Sequence, residues 1–320
     1  MIDVSKDHAI GIDIGGTNTK YGIVNHRGQI IFEGSMKTDI HENVADFIDA
    51  LYNTLKPEID KFKDINIVGI GVGAPNGNFY TGNIEYAPNL KWVGVVPLAK
   101  LISEKFGIPA KLTNDANAAA IGEMMYGAAR GMKDFIMITL GTGVGSGIVA
   151  NGELILGHDG FAGELGHTIV VPGGRKHTKT GALGSLEAYA SATGVTITAK
   201  EYLTGTDEAS VLRETPLEEL DSKLVFDAAI AGDILSKRVF ATTGDILGMA
   251  LANFVMFSSP QAIILFGGLT KAGDILMKPI KESMERNLLP IFRDKVQLIF
   301  SELKESDSAI LGASALVWDR

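Results

Sequence analysis

The chain has 320 residues, no cysteine and a formal net charge of −9. The absence of thiols excludes disulfides and thiolate metal sites. The acidic balance argues against a nucleic-acid protein, whose affinity rests on Lys and Arg neutralising phosphates. Hydrophobic residues make up 46% of the chain, enough for sizeable cores. No uninterrupted apolar run reaches the roughly 20 residues of a membrane span, and the charged segment Met1 to His8 does not fit a signal peptide. The expectation is a cytoplasmic protein of two domains or one large one, with no membrane or nucleic-acid partner.

In chain order, a strand is predicted over Ala9–Ile14, ending in Gly15-Gly16. Apolar segments at Tyr21–Val24 and Ile30–Phe32 follow, which together read as an antiparallel meander. Residues 43–63 carry Val44, Phe47, Ile48, Leu51 and Leu55 on one helical face, with Pro57 as a break or kink. Ile65–Val72 reads as a buried strand and Val96–Phe106 as a short helix. A helix from Asn114 to about Ala129 is capped by Asn114 or Asp115. Strands are predicted at Phe135–Leu140, Gly147–Ala150 and Glu153–Leu156, with Asn151-Gly152 as the turn between the last two. Residues 159–185 are glycine-rich and irregular, and 186–255 are mainly helical. The remainder reads as a strand at Ala262–Phe266, a helix over 273–289, a strand at Gln297–Phe300 and a closing helix at Ser308–Trp318.

Ile12–Val24 is echoed by Ile138–Val149. Each is an apolar strand, a Gly/Thr hairpin and a second apolar strand, which points to two similar lobes. A glycine turn lets backbone N–H groups approach an anion with no Cβ in the way. Gly15, Gly16 and Thr17, with Lys20 and Asp13 beside them, are therefore one candidate phosphate cradle, and Gly141, Thr142, Gly143 and Gly145 a second. The competing reading of each is an ordinary hairpin. A dinucleotide fingerprint fits poorly, because an apolar strand-like segment rather than a helix follows the second hairpin, and no Walker A loop is present.

Asn114 and Asp115 open a helix. Either they only cap it, or Asp115 is a base kept ionised by the helix dipole, with Asn114 a partner for a sugar hydroxyl pair. Alcohols need such a carboxylate to accept their proton during phosphoryl transfer. Glu164, His167 and Glu187 lie in a glycine-rich stretch. It is either a surface loop or a site for a ligand with several hydroxyls, each of which donates and accepts. His8, His26, His41, His158 and His177 read as surface or structural.

Taken in order, these segments resemble the ROK family (repressors, open reading frames and sugar kinases) of the actin-like, hexokinase-like ATPases. The matching segments are Asp13–Thr17 through Lys20, Asn114 to Ala118, Leu140–Gly145, Gly163–His167, Leu186–Ala190 and Phe266–Leu269. The resemblance implies an α/β fold of two actin-like ATPase (ribonuclease H-like) lobes. Each would be a five-stranded mixed sheet flanked by helices, with a cleft between them. The first lobe would span 1–120, joined by the last helix, 308–320, and the second 121–307.

The activity implied is transfer of the ATP γ-phosphoryl group to a hexose, with glucose favoured. N-acetylmannosamine, N-acetylglucosamine and fructose are alternatives, and a non-catalytic sugar sensor is the rival class. Asp115 would be the base, and Asn89, Asn114, Glu164, His167 and Glu187 would hold the sugar. Asp13, Gly15, Gly16, Thr17, Lys20, Gly141, Thr142, Gly143, Gly267 and Gly268 would hold ATP with Mg²⁺. A dimer or tetramer is implied.

A helix-turn-helix domain, which the family's repressors carry ahead of the first phosphate motif, finds no room before Asp13. One departure stands out. The three cysteines of the family's zinc site align with Thr178, Thr180 and Ser185, so no zinc is expected. A substitute site on His167 and His177 falls short in ligand count. His167 would then contact sugar directly, and loop 172–184 would be held by packing and hydrogen bonds or be mobile.

Overall fold

A computed structural model describes residues 6–178 and 180–318. The first five residues of the predicted N-terminal lobe and the last two of the segment 308–320 lie outside the described residues. The fold is α/β, with two five-stranded sheets. Strands β1 (Asp7–Ile14), β2 (Asn18–Asn25) and β3 (Ile30–Lys37) form the expected antiparallel meander. The chain continues through α1 (Val44–Ile59), β4 (Asn66–Gly73), the two-residue strands β5 (Ile84–Glu85) and β6 (Val95–Val96), α2 (Leu98–Phe106) and β7 (Ala110–Thr113). Pro57 lies in the last turn of α1, which ends at Ile59 rather than near 63. In the first sheet β4 runs parallel to β1 and β7 parallel to β4, giving the order β3-β2-β1-β4-β7.

The chain then forms α3 (Asp115–Tyr126), β8 (Phe135–Leu140), β9 (Val144–Ala150) and β10 (Glu153–Leu154). Asn151 and Gly152 both take positive φ, 55° and 83°, as the tight turn between β9 and β10 requires. Helices α4 (Glu187–Ala190), α5 (Ala192–Gly205), α6 (Ser222–Ile230) and α7 (Ile234–Ser258) follow. After them come β11 (Ala262–Phe266), α8 (Asp274–Asn287), β12 (Gln297–Phe300) and α9 (Ser308–Trp318). The second sheet has the order β10-β9-β8-β11-β12. Position for position this repeats the first sheet, so the sequence echo at residues 12 and 138 marks a repeated topology.

The chain separates into two compact units. The first takes the chain up to Met132, Gly147–Gly163 and the segment from Ser301 on; the second takes Lys133–Ser146 and Glu164–Phe300. Helix α3 stays whole in the first unit, and Gly147 joins it there. A Cβ at Gly147 would lie 2.7 Å from Ala120 Cβ, so this end of β9 rests on α3.

In the first unit, alternation along the strands sends Ile10, Ile12, Ile70 and Val72 to one face. There they bury against Phe47, Leu51 and Leu55 of α1 and Ile102 of α2. The intervening residues on the other face are glycines. Gly22, Gly11 and Gly71 stand in register across β2, β1 and β4, and α9 lies on this row. A Cβ would come within 2.2 Å of Ile310 O at Gly11 and within 1.8 Å of Ala313 O at Gly71. Ala313 and Ser314 present their backbone to this row, while Gly312 turns to α3, where its Cβ position lies 2.7 Å from Ala118 O.

In the second unit, α7 is the one helix among the described residues long and apolar enough to cross a membrane. Its apolar residues are largely buried inside the unit, among them Leu235, Val239, Phe240, Leu247, Leu251 and Val255. At Gly248 a Cβ would stand 2.3 Å from Ile280 O of α8, a helix contact that only glycine permits. The apolar length of α7 is therefore that of a core helix.

Candidate active site

In the first unit, parallel pairing brings the predicted residues to one sheet edge. Asp13 is in register with Gly73, and Gly73 with Thr113, so β1, β4 and β7 end in one row with neighbouring strands about 4.8 Å apart. Asp115 follows two residues after Thr113. A Cβ at Gly73 would stand 3.5 Å from Asp13 Oδ1 and 3.7 Å from Asp115 Cα, so Gly73 forms the floor between the two acids. Ligands of open α/β sheets bind beyond the carboxyl ends of parallel strands, which is this edge.

Asn114 is the cap of α3. Its Oδ1 accepts from the N–H groups of Ala116 (2.7 Å) and Asn117 (3.4 Å). That leaves its amide nitrogen to donate. Asp115 Oδ1 accepts from the Ala116 N–H at 2.8 Å, and the residue is exposed. The protein surrounding this exposed carboxyl thins its hydration and raises it above the usual carboxylate range, with the Ala116 amide opposing.

Burial pushes the Asp13 carboxyl up from 3.8 to about 7. The charge of Asp115 adds to this, and Lys20, its cross-strand partner, opposes it. The sign of the resulting pH dependence follows from linkage. Between these two values the unfolded chain has released the Asp13 proton and the folded chain retains it, so stability falls as pH rises, and the loss is complete above about 7. Asp13→Asn removes this contribution. The melting temperature of the variant, relative to wild type, should climb from about pH 4 to about pH 8 and then level off. A difference that is flat with pH would contradict the assignment.

The first glycine hairpin uses the Gly15 N–H internally, donating to Asn18 O at 3.0 Å. The amides of Gly16 and Thr17 are the ones left to meet an anion. Asn89 lies directly on this hairpin, since a Cβ at Gly16 would come within 2.7 Å of Asn89 O. The second unit repeats the device. There the Gly141 N–H donates to Gly143 O at 3.0 Å, which leaves Thr142 and Gly143. Gly267, with φ 108°, sits against the end of β8, where a Cβ would clash with Leu140 O at 2.6 Å. Gly268 is exposed with open space at its Cβ position.

Three of the residues expected to hold a sugar, Glu164, His167 and Glu187, lie in the second unit. Gly166 presses on Val144, with its Cβ position 2.0 Å from Val144 O. This brings the Glu164–His167 turn to the hairpin. Glu164 and His167 are exposed, with Glu164 Oε2 3.7 Å from His167 Nε2. Glu187 opens α4 and lies across the hairpin. Its Oε2 accepts from the Val144 N–H at 2.7 Å, and its Oε1 is 2.7 Å from His177 Nε2.

His177, read from sequence as surface or structural, is thus buried beside a predicted site residue. The reason is the loop's conformation. Isolated bridges join Ile169 to Ser185 and Lys176 to Leu183, which folds 172–184 back on itself and carries His177 to Glu187. Arg175 fixes the base of this loop. Its guanidinium lies 4.4 Å from the centre of the Tyr189 ring and donates to Ala188 O, Gly194 O, Thr198 and Glu201. Sequence reasoning gave His177 only as surface or structural, or as half of an incomplete metal site, and did not single out Arg175, because neither stands in a recognisable spacing with its partners.

The donor set at the family's zinc position does not fit that metal. Thr180 Oγ1 lies 2.8 Å from His177 Nδ1, Thr178 is exposed, and Ser185 is a fully buried hydroxyl. Neutral hydroxyls are not structural zinc ligands. Among the described residues no group of three or more His, Asp or Glu side chains converges to hold a metal ion.

With this geometry in view, the family profile described as "ROK family" matches residues 9–320. The chain belongs to the ROK family. It is 37% identical over 318 residues to a glucokinase of Halalkalibacterium halodurans, covering 96% of this chain and 94% of that one. It is 34% identical over 314 residues to a glucokinase of Thermotoga maritima, covering 97% of each. Among solved structures, a ROK family glucokinase from Streptomyces griseus in complex with glucose and AMPPNP is similar with a TM-score of 0.79 at 31% identity, over 97% of this chain and 98% of that one. The two mixed five-stranded sheets flanked by helices are the fold the resemblance implied.

Proposed function

We infer that this protein is an ATP-dependent sugar kinase that transfers the γ-phosphoryl group to glucose, giving glucose 6-phosphate and ADP. The observation that carries the reading is Asp115, exposed at the start of α3 just beyond β7, with Asp13 at the end of β1 on the other side of the intervening β4. That is the arrangement a sugar alcohol needs if it is to lose its proton as the P–O bond forms. A carboxyl raised above its usual range accepts that proton more readily than an ordinary one. The full-length likeness to glucokinases supports glucose as the acceptor.

Asn114 is positioned to donate to the sugar, and Asn89, Glu164, His167 and Glu187 supply the remaining hydroxyl partners. The amides of Gly16 and Thr17 in one hairpin, and of Thr142 and Gly143 in the other, serve phosphate oxygens. Asp13 suits Mg²⁺, because a half-buried carboxylate beside a second acid gains most from a hard cation. When bound, that ion neutralises charge on the phosphate oxygens. Catalysis rests mainly on alignment and charge neutralisation. The cytoplasm, where ATP is available, is the proposed compartment.

The test is an ADP-release assay on glucose, N-acetylmannosamine, N-acetylglucosamine and fructose with wild-type protein. Glucose should give the highest kcat/KM. A higher value for another hexose would reassign the acceptor. Sugar binding without ADP release on any of them would establish a sensor instead.

A further inference from the structure

We propose that His177 is a positioning residue for phosphoryl transfer. It pins the Glu187 carboxylate between loop 172–184 and the second glycine hairpin. The inference rests on the sugar-kinase reading above.

The argument begins with the lone pairs. A carboxylate has about four acceptor sites. Glu187 commits one to the Val144 N–H and one to His177 Nε2, both at 2.7 Å. The remaining sites are fixed in direction by these two contacts and are the ones left for sugar hydroxyls. The carboxylate lies so close to the hairpin that a Cβ at Gly143 would stand 2.4 Å from its Oε2, so only glycine there leaves room for Glu187.

The His177 ring is held in turn. The Thr180 backbone N–H donates to Nδ1 at 3.2 Å, so Nδ1 is an acceptor and the ring proton sits on Nε2, facing Glu187. The edge of His167 completes the enclosure, with the two rings 5.9 Å apart at 67°. His177 and Glu187 are both largely buried, at 10% and 16% side-chain exposure. A hydrogen bond from a nitrogen to a carboxylate in such surroundings holds direction better than one in water. Through Glu187 the same contact reaches the Val144 amide, next to the hairpin amides that face phosphate. One imidazole thus sets the geometry of a sugar ligand and steadies a phosphate turn.

The test compares His177→Asn and His177→Gln in the full-length enzyme. Both are neutral amides of similar volume. The Gln amide reaches the position of Nε2 and can donate to Glu187; the Asn amide ends near Nδ1 and cannot. His177→Asn should raise the KM for glucose about tenfold or more, the usual range for losing a hydrogen bond to a charged group, with a smaller change in the KM for ATP. His177→Gln should restore most of that loss.

Equal glucose KM values for the two variants would overturn the proposal, as would equal rises in both KM values. Should either variant fail to fold, Thr180→Val carries the test, since it removes the hydroxyl beside Nδ1 and should raise the KM for glucose selectively. An unchanged KM in that variant would count against the proposal. Elemental analysis of wild-type protein should find no stoichiometric zinc; one zinc per chain would overturn the pin in favour of a metal. Wild-type protein inactive on every hexose would remove the kinase reading itself, a result separable from any difference among these variants.

Discussion

Asp115→Asn is expected to lower kcat about a thousandfold or more, within the range that positioned general bases contribute, which corresponds to about 4 kcal/mol of barrier. Asparagine is the informative replacement. Its Oδ1 can still accept from the Ala116 N–H, as Asp115 does at 2.8 Å, and Asn114 remains as the cap of α3. The helix start is therefore preserved while the capacity to take a proton is lost. Glucose affinity, measured by calorimetry without nucleotide, should stay within a few-fold of wild type. A variant that retains more than about a tenth of wild-type kcat would remove Asp115 from the role of base.

Gly71→Val is the largest expected loss of stability. Valine is favourable in a strand, so local propensity cannot be the cause. The cost is a collision between two backbones, because a Cβ at residue 71 would lie 1.8 Å from Ala313 O and 2.8 Å from Ala313 C. Neither atom can move unless α9 lifts from the row formed by Gly22, Gly11 and Gly71. Overpacking of this kind costs about 3 kcal/mol or more where the neighbour is rigid. The melting temperature should fall by roughly 6–12 °C. Gly205→Ala is the control, since nothing lies within 4 Å of its Cβ position and its φ is not positive. It should be neutral or slightly stabilising. A melting temperature for Gly71→Val within about 2 °C of wild type would show that α9 does not depend on the close approach.

Both predictions turn on features whose parts were legible in the chain but whose pairing was not. The glycines of β1, β2 and β4 were visible as residues, yet only strand register aligns Gly22, Gly11 and Gly71 into one surface. Asp115 at a helix start was equally consistent with a cap and a base. The structure gives the cap to Asn114 and leaves Asp115 exposed with a raised carboxyl. The two hairpins were found correctly. Which of their amides remain for an anion became clear only from the internal bonds of Gly15 and Gly141.

Some of the molecule is written in short-range chemistry. Strands, helices and the paired glycine turns follow from side-chain period and backbone freedom within a few residues, and the sequence determined them unaided; the family segments were legible by resemblance. It also settled that no thiolate could organise loop 172–184. The tertiary structure alone decided what lies across space: Asp13 beside Asp115, α9 on its glycine row, Arg175 under Tyr189, and His177 against Glu187. Those contacts join residues ten to three hundred positions apart. No local propensity specifies a partner at such a distance, so they are set by register and packing.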